Sequence, residues 1–201
     1  MIRILCADIA SADKSIYDRL YGTASAERKK RADRYLRVED KLRCVTADAL
    51  LRTALGTGNF RIEKNKYAKP SVKDHENFHY NLSHSGRYVV IAYGESEVGV
   101  DVQEHDLTLD MQAVAERCFT ADEREYIGQS VRHFFEIWTG KESYLKYTGE
   151  GLRKDMRSFS IRKTEPKVQH LHCLPDDGYS LSLCTADKEY IFELLDVRQL
   201  L

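Results

Sequence analysis

With 201 residues, 42% of them hydrophobic and 31% charged, the chain can bury a core, which excludes global disorder. Lys and Arg number 31 against 32 Asp and Glu, a formal net charge of −1. That balance argues against a general nucleic-acid binder while leaving room for a local basic pocket.

No apolar run approaches the length of a membrane span, and the N-terminal apolar stretch is short and interrupted by Asp8. The chain therefore reads as cytoplasmic, with no membrane partner. Five cysteines, an odd count with no C-x-x-C pair, do not suggest a disulfide framework. His170, His172 and Cys173 sit in an alternating, strand-like stretch without a second ligand pair, which is a poor pattern for zinc.

In chain order, residues 2–8 read as a strand and a polar stretch follows. Ser25 is a helix N-cap, with Glu27 in the first turn, for a helical region reaching Leu55; Val38, Leu42, Val45 and Ala49 recur at helical spacing. Gly56 is its C-cap. Tyr67–Pro70 reads as a loop. Residues 77–83 alternate as a strand, Ser85-Gly86-Arg87 turns, and Tyr88–Tyr93 is a buried strand. A second unit begins near residue 97 with a strand at 97–102. Helices at about 109–117, 121–128 and 130–147 follow, then strands at 158–163, 179–185 and 189–195. Strand, helices, strands thus occurs twice. Asp8 and Asp101 each close a first strand, and Gly56 and Gly149 each end a long helix, both pairs 93 residues apart. The fold class expected is α+β: two similar halves, 1–96 and 97–201, packed face to face, with a site between them.

Three segments carry candidate chemistry. Asn81-Leu-Ser83-His84-Ser85-Gly86 offers hydroxyls, an imidazole and turn amides that suit phosphate oxygens; a self-capping polar turn is the plain alternative. In Gly99-Val-Asp101-Val-Gln103, strand geometry puts Asp101 and Gln103 on one face. An acid among valines needs a cation or a donor, and magnesium is one such partner, unless the strand end is solvated. In the third segment, residues 138–152, Trp138, Glu142 and Lys146 follow at intervals of four, so one helix face presents an aromatic, a carboxylate and an ammonium. For an anonymous helix, a surface ion pair beside a core tryptophan explains that equally well.

Together, residues 81–86, 99–103 and 138–152 resemble the 4′-phosphopantetheinyl transferases, specifically the larger single-chain type that activates peptide and polyketide synthetases. That family shows N-x-S-H-S-G-like, G-[VI]-D-[VI]-[EQ]-like and W-x-x-K-E-[AS]-x-x-K-x-x-G-x-G-L segments in this order. The resemblance extends upstream to Ser25–Arg31, Arg43 and Tyr67–Pro70 and covers most of the chain. It implies two similar α+β halves related by a pseudo-two-fold axis, and a monomer with the active site between them. It also implies transfer of the phosphopantetheine arm of coenzyme A to a serine of an apo acyl, peptidyl or aryl carrier protein, releasing adenosine 3′,5′-bisphosphate.

The coenzyme A contacts implied are Arg28, Arg31, Arg43, Lys69, Ser83, His84 and Lys146, where Arg28 and Arg31 replace the lysines of other members. The implied Mg2+ site is Asp101 and Glu142 with Gln103 nearby, where many relatives carry Glu. Glu142 is the candidate base, directly or through water, Lys146 the group that neutralises phosphate charge, and Asp101 the metal-holding member of the catalytic set. Lys141 is left to face phosphate, carrier or solvent. Carrier proteins are commonly acidic around their target serine, so a mixed basic and apolar rim is expected, without a location. Two other readings use the same residues: a Mg-dependent phosphodiesterase delivering water, and a non-catalytic module that binds coenzyme A or a carrier.

Overall fold

The computed structural model describes all residues from Met1 to Leu201 except Ala68, Leu152 and Arg153. The motif positions Ala68 and Leu152 therefore lie outside the described residues.

Two sheets form the frame. Strand β1 (Ile2–Asp8) pairs antiparallel with β5 (Tyr88–Gly94), and β5 pairs antiparallel with β4 (His79–Ser85). In the second sheet β6 (Val98–Glu104) pairs antiparallel with β8 (Tyr179–Thr185), and β8 pairs antiparallel with β7 (Val168–His170). The connectivity repeats: first strand, helices, outer strand, inner strand. The division at residues 96 and 97 falls in the bend between β5 and β6. The last strand, β9 (Tyr190–Asp196), pairs parallel with β1 and so completes the first sheet, giving the order β4-β5-β1-β9.

Alternation sorts the core. Ile2, Ile4 and Cys6 of β1 and Tyr88, Val90 and Ala92 of β5 meet Val100 and Val102 of β6 and Leu181 and Leu183 of β8 between the sheets. On the opposite face, Leu5, Ala7, Val89 and Ile91 pack under α3 (Val38–Leu55), through Val45, Leu50 and Leu51. The second sheet's outer face takes α6 (Val131–Thr148). Both long helices end on a glycine with positive φ, Gly56 (φ 67°) and Gly149 (φ 70°), as their shared spacing predicts.

Four sequence expectations are corrected. The polar stretch after β1 contains α1 (Lys14–Thr23): Asp13 caps it by accepting from Ile16 N (2.9 Å), and Ile16 and Leu20, one turn apart, bury its inner face. The helical region 25–55 is two helices, α2 (Ala26–Ala32) and α3, broken at residues 33–37. A single helix of that length would run for about 45 Å, well past strands of about 23 Å, and the break folds α2 back onto α3. Finally, 158–163 is not a strand. A 3-10 turn at Met156–Ser158 leads into a segment whose backbone is held by side chains: Lys141 Nζ donates to the carbonyls of Met156 (2.7 Å) and Phe159 (2.6 Å), and Glu123 accepts from Ile161 N (2.9 Å). Phe159 and Ile161 point inward and mimic strand alternation. Asp101 also sits in the middle of β6 and does not close it.

The sheets meet at one seam. Along it, alternate side chains of β4 accept from alternate amides of β6: Val100 N to Asn81 Oδ1 (2.9 Å), Val102 N to Ser83 Oγ (3.2 Å) and Glu104 N to Ser85 Oγ (3.0 Å). These amides lie on the edge of β6 away from β8 and have no strand beside them, so the side chains do the work of a ladder. Asn81 is 7% exposed. Asn81→Ala orphans the Val100 amide, and the expected loss is about 1–3 kcal/mol of stability, read as a lower urea midpoint at unchanged slope.

Candidate functional site

The seam places the chemistry. Ser83 and Asp101 face each other across it, and the Ser83 hydroxyl donates to Asp101 Oδ1 (2.8 Å). Behind Asp101, β6 lies unusually close to α6. A Cβ on Gly99 would stand 2.0 Å from the Ser143 carbonyl oxygen, so only glycine permits this approach. The contact brings the inward face of α6 over Asp101. Lys146 Nζ donates to Asp101 Oδ1 (2.6 Å), Ser83 Oγ (3.1 Å) and the Val100 carbonyl (3.1 Å). Asp101 is 6% exposed.

A cavity of about 340 Å³ opens here, lined by Leu82, Ser83, His84, Asp101, Gln103, Trp138, Glu142 and Lys146. The helix face 138/142/146 thus meets the strand face 101/103, as the spacing predicts. Glu142 is half-buried, and its carboxylate accepts no hydrogen bond among the described residues. Its pKa is pushed up, first by burial and then by the Asp101 charge, with Lys146 opposing.

Leu82 and His84, on the other face of β4 from Ser83, continue the wall into a second chamber of about 300 Å³. Its lining includes Arg28, Arg31, Asp48, Phe60, Ile62 and Tyr80. His84 belongs to both chambers. Burial of its ring, and then the positive charges of Arg43, Lys146 and Arg31, hold its pKa below the usual value. Arg28 is held from behind by Asp48 (3.5 Å), a carboxylate on α3 that is 2% exposed. Asp48 also accepts from Ser25 Oγ (3.1 Å) and Ser25 N (3.3 Å), tying the cap of α2 to the chamber wall. Ser25 in turn caps α2 by accepting from Arg28 N (3.2 Å). Arg31 donates to the Tyr35 hydroxyl (3.3 Å).

Two expected contacts do not line either chamber. Arg43 commits its guanidinium to Asp40 Oδ1 and the Gly86 carbonyl, both at 2.7 Å, beside His84. Lys69 donates to Glu97 Oε2 (2.5 Å) and to the Tyr147 carbonyl (2.9 Å), joining the approach to β3 (Pro70–Val72) to the end of α6. Ser83 is placed in the site, but its proton and lone pairs are already committed to Asp101, Val102 N and Lys146. A cavity of about 610 Å³ between α4 (Met111–Cys118) and α5 (Ala121–Ile127) holds none of these residues. His170, His172 and Cys173 do not converge: His170 Nδ1 lies 2.9 Å from Ser182 Oγ, His172 Nδ1 lies 2.6 Å from Arg132, and Cys173 packs between the sheets.

Lys141 faces none of the three surroundings expected for it. It is fully buried and pairs with the equally buried Glu123 (2.9 Å), whose other contacts are the amides of Thr120 and Ile161, both 2.9 Å. Burial pushes the ammonium's pKa down and Glu123 pulls it back. Thr120-x-x-Glu123 has the pattern of a helix start, and nothing local in it marks Glu123 as the counter-charge of Lys141. Asp48, an acid inside the largely apolar run Cys44–Leu51, braces Arg28 and is a residue that a search for charges in buried helix faces would have found.

The model of the family described as the 4′-phosphopantetheinyl transferase superfamily matches residues 97–194. The chain is 31% identical to the 4′-phosphopantetheinyl transferase psf-1 of Bacillus pumilus, over 92% of this chain and 88% of that one. It is 33% identical to the transferase gsp of Aneurinibacillus migulanus, over 84% and 74%. It is 29% identical to the transferase ffp of Bacillus subtilis, over 86% and 87%.

Lys141→Met leaves Glu123 buried and unpaired, and the expected cost is about 3–5 kcal/mol. The double variant Lys141→Met, Glu123→Gln should recover part of that loss. Chemical denaturation of both proteins makes the comparison.

Proposed function

Because the chain belongs to the 4′-phosphopantetheinyl transferase superfamily, we propose that it moves the phosphopantetheine arm of coenzyme A onto a serine of an apo carrier protein, acyl, peptidyl or aryl. Adenosine 3′,5′-bisphosphate is the second product. The observation that carries this reading is a pair of adjacent chambers that share Leu82 and His84 as wall: Asp101, Glu142 and Lys146 line one, and Arg28 and Arg31 line the other. Both chambers are built from one chain, which supports action as a monomer. The five cysteines are all free thiols, which supports a cytoplasmic protein. No helix among the described residues is long and apolar enough to cross a membrane.

Coenzyme A carries a diphosphate and a 3′-phosphate, which need cations in a partly dry site. Arg28 and Arg31 supply them by charge-assisted hydrogen bonds, with His84 as a further donor. Arg43 acts from behind, holding the Gly86 turn and biasing His84. Lys69 reaches a phosphate only by leaving Glu97 and the Tyr147 carbonyl, so its role here is to tie the segment before β3 to α6. The apolar wall of Phe60, Ile62 and Tyr80 suits the adenine.

The residues fit a magnesium ion. Asp101 and Glu142 are hard oxygen donors, and the Glu142 carboxylate has no other partner among the described residues. No group of three His, Cys, Asp or Glu side chains converges among those residues, so two carboxylates with substrate phosphate are what the site offers. Gln103 adds an amide oxygen and no charge. Bound there, the ion supplies charge neutralisation for the diphosphate.

In the transfer, the serine Oγ forms a bond to the phosphorus that bears pantetheine. The bond from that phosphorus to the bridging oxygen breaks, and its electron pair leaves with adenosine 3′,5′-bisphosphate. Glu142 is the group placed to take the serine proton, directly or through water. Lys146 stays beside the developing charge, while Ser83 keeps Asp101 in place.

Incubation with coenzyme A, magnesium and a panel of apo carriers, read by intact mass, tests the reading. A phosphopantetheine adduct on serine is expected, with Asp101→Ala and Glu142→Ala slower by at least about a hundredfold. Consumption of coenzyme A without any carrier would mark a phosphodiesterase instead. His84 gives a separate handle. Its depressed pKa leaves it neutral in the free protein at pH 7, and an arriving phosphate reverses the local charge and raises that pKa. Coenzyme A binding should therefore take up protons near neutral pH, seen as a buffer-dependent binding enthalpy, and His84→Ala should abolish that uptake.

A further inference from the structure

The most exposed large apolar side chain among the described residues is Leu36, 98% exposed in the turn between α2 and α3, and Val38, two residues on, is 66% exposed. Single exposed apolar residues are ordinary on a protein surface. Here two fall within three residues and are flanked by Arg34 and Arg37, which are exposed and form no ion pair or side-chain hydrogen bond among the described residues, as is Lys30 on α2. Residues 26–41 hold seven basic and four acidic side chains in a chain of net charge −1. Two of those acids are already engaged, Asp33 by the Tyr21 hydroxyl (3.1 Å) and Asp40 by Arg43 (2.7 Å).

The turn is fixed in shape. Arg34 N donates to the Arg31 carbonyl (3.2 Å), Tyr35 N donates to the Ala32 carbonyl (3.1 Å), and the Tyr35 ring packs on the core under α3. It also borders the cleft. Arg31, which lines the second chamber, donates to the Tyr35 hydroxyl (3.3 Å), and Asp40 grips the arginine that holds the Gly86 turn beside His84. His84 lines both chambers.

We propose that this α2–α3 corner is the docking surface for the acceptor carrier protein, with Leu36 and Val38 entering an apolar dimple and Lys30, Arg34 and Arg37 facing acidic side chains around it. The inference rests on the transfer reading above. A macromolecule that brings a serine hydroxyl to Glu142 while coenzyme A fills the chambers must rest on their rim. On this part of the rim the apolar contacts and unpaired charges stand together. The chemistry implied for the partner is an acidic face with a small apolar pocket, in which the apolar pair anchors the contact and the cations steer approach.

The test is steady-state transfer with the apo carrier varied and coenzyme A saturating, for the wild type, Leu36→Ser, and the double variant Arg34→Gln, Arg37→Gln. All three sites are exposed and none lines the cavity. Support is a rise of at least about tenfold in KM for the carrier, with kcat within twofold and the coenzyme A Kd, measured by calorimetry without carrier, unchanged. The wild-type KM should also climb more steeply with NaCl than that of the double variant. An unchanged carrier KM overturns the docking surface and leaves the transfer reading standing. A weakened coenzyme A Kd overturns it in favour of a nucleotide contact. Loss of binding to phosphatidylserine vesicles at unchanged carrier KM overturns it in favour of a lipid surface. Failure of the wild type to modify any carrier, by contrast, removes the transfer reading itself, and the inference with it.

Discussion

Three side chains of β4 stand in for a neighbouring strand. Asn81, Ser83 and Ser85 accept from the amides of Val100, Val102 and Glu104, and this fixes the register of one sheet against the other. A strand pair would bring two backbones to within about 5 Å. Side-chain acceptors hold β6 further off, and the cleft opens along the wider spacing. The register also decides the chemistry, because Ser83 bonds both Val102 N and Asp101. The alternation that turns Ser83 toward β6 turns Leu82 and His84 the other way, onto the wall shared by the two chambers. One pentapeptide thus joins the halves and lines the site.

The second constraint is the seating of α6. Gly99 lets the helix touch β6, and the Lys141–Glu123 pair fixes the helix from its far side. Lys141 and Glu142 are neighbours on a helix and so point about 100° apart. Anchoring Lys141 in a buried, fully bonded pair therefore directs Glu142 toward Asp101. A buried pair of this kind is weak evidence for net stability, but its geometry admits one helix rotation, and that rotation sets Glu142 in the same cavity as Asp101. Lys141 also binds the carbonyls of Met156 and Phe159, so the segment after α6 is tied to the same fixed point.

The residues that meet in the cavity were legible because each lay at a spacing with a geometric meaning: 101 and 103 on one strand face, 138, 142 and 146 on one helix face. Strand positions, the Ser25 cap and both terminal glycines followed from equally local signals. Much of what escaped depended on partners distant in sequence. The α1 helix buries only Ile16 and Leu20, with Tyr17 and Tyr21 half-buried against the same core, so its apolar face is narrow. Phe159 and Ile161 alternate like a strand, although the groups binding that backbone come from α5 and α6. Lys141, Lys69 and Arg43 all looked like phosphate ligands, since a free cation and a paired one read alike in sequence. Glu123, Glu97 and Asp40 decide the matter, and two of the three lie on other elements.

The pairing of charges has a consequence for how the site is held before any substrate arrives. Asp101 and Glu142 repel each other, and burial raises the cost of keeping both ionised. Lys146 and Ser83 both act on the same oxygen of Asp101, so the carboxylate is anchored through Oδ1 and the repulsion is relieved on one side only. Glu142 receives no such support and carries the raised pKa. The two carboxylates thus differ in setting although both are side chains of the same chemistry: one is fixed and charge-compensated, the other has no hydrogen-bond partner among the described residues. The asymmetry comes from the seam, because Ser83 reaches Asp101 only by virtue of the register that its own hydroxyl helps to set.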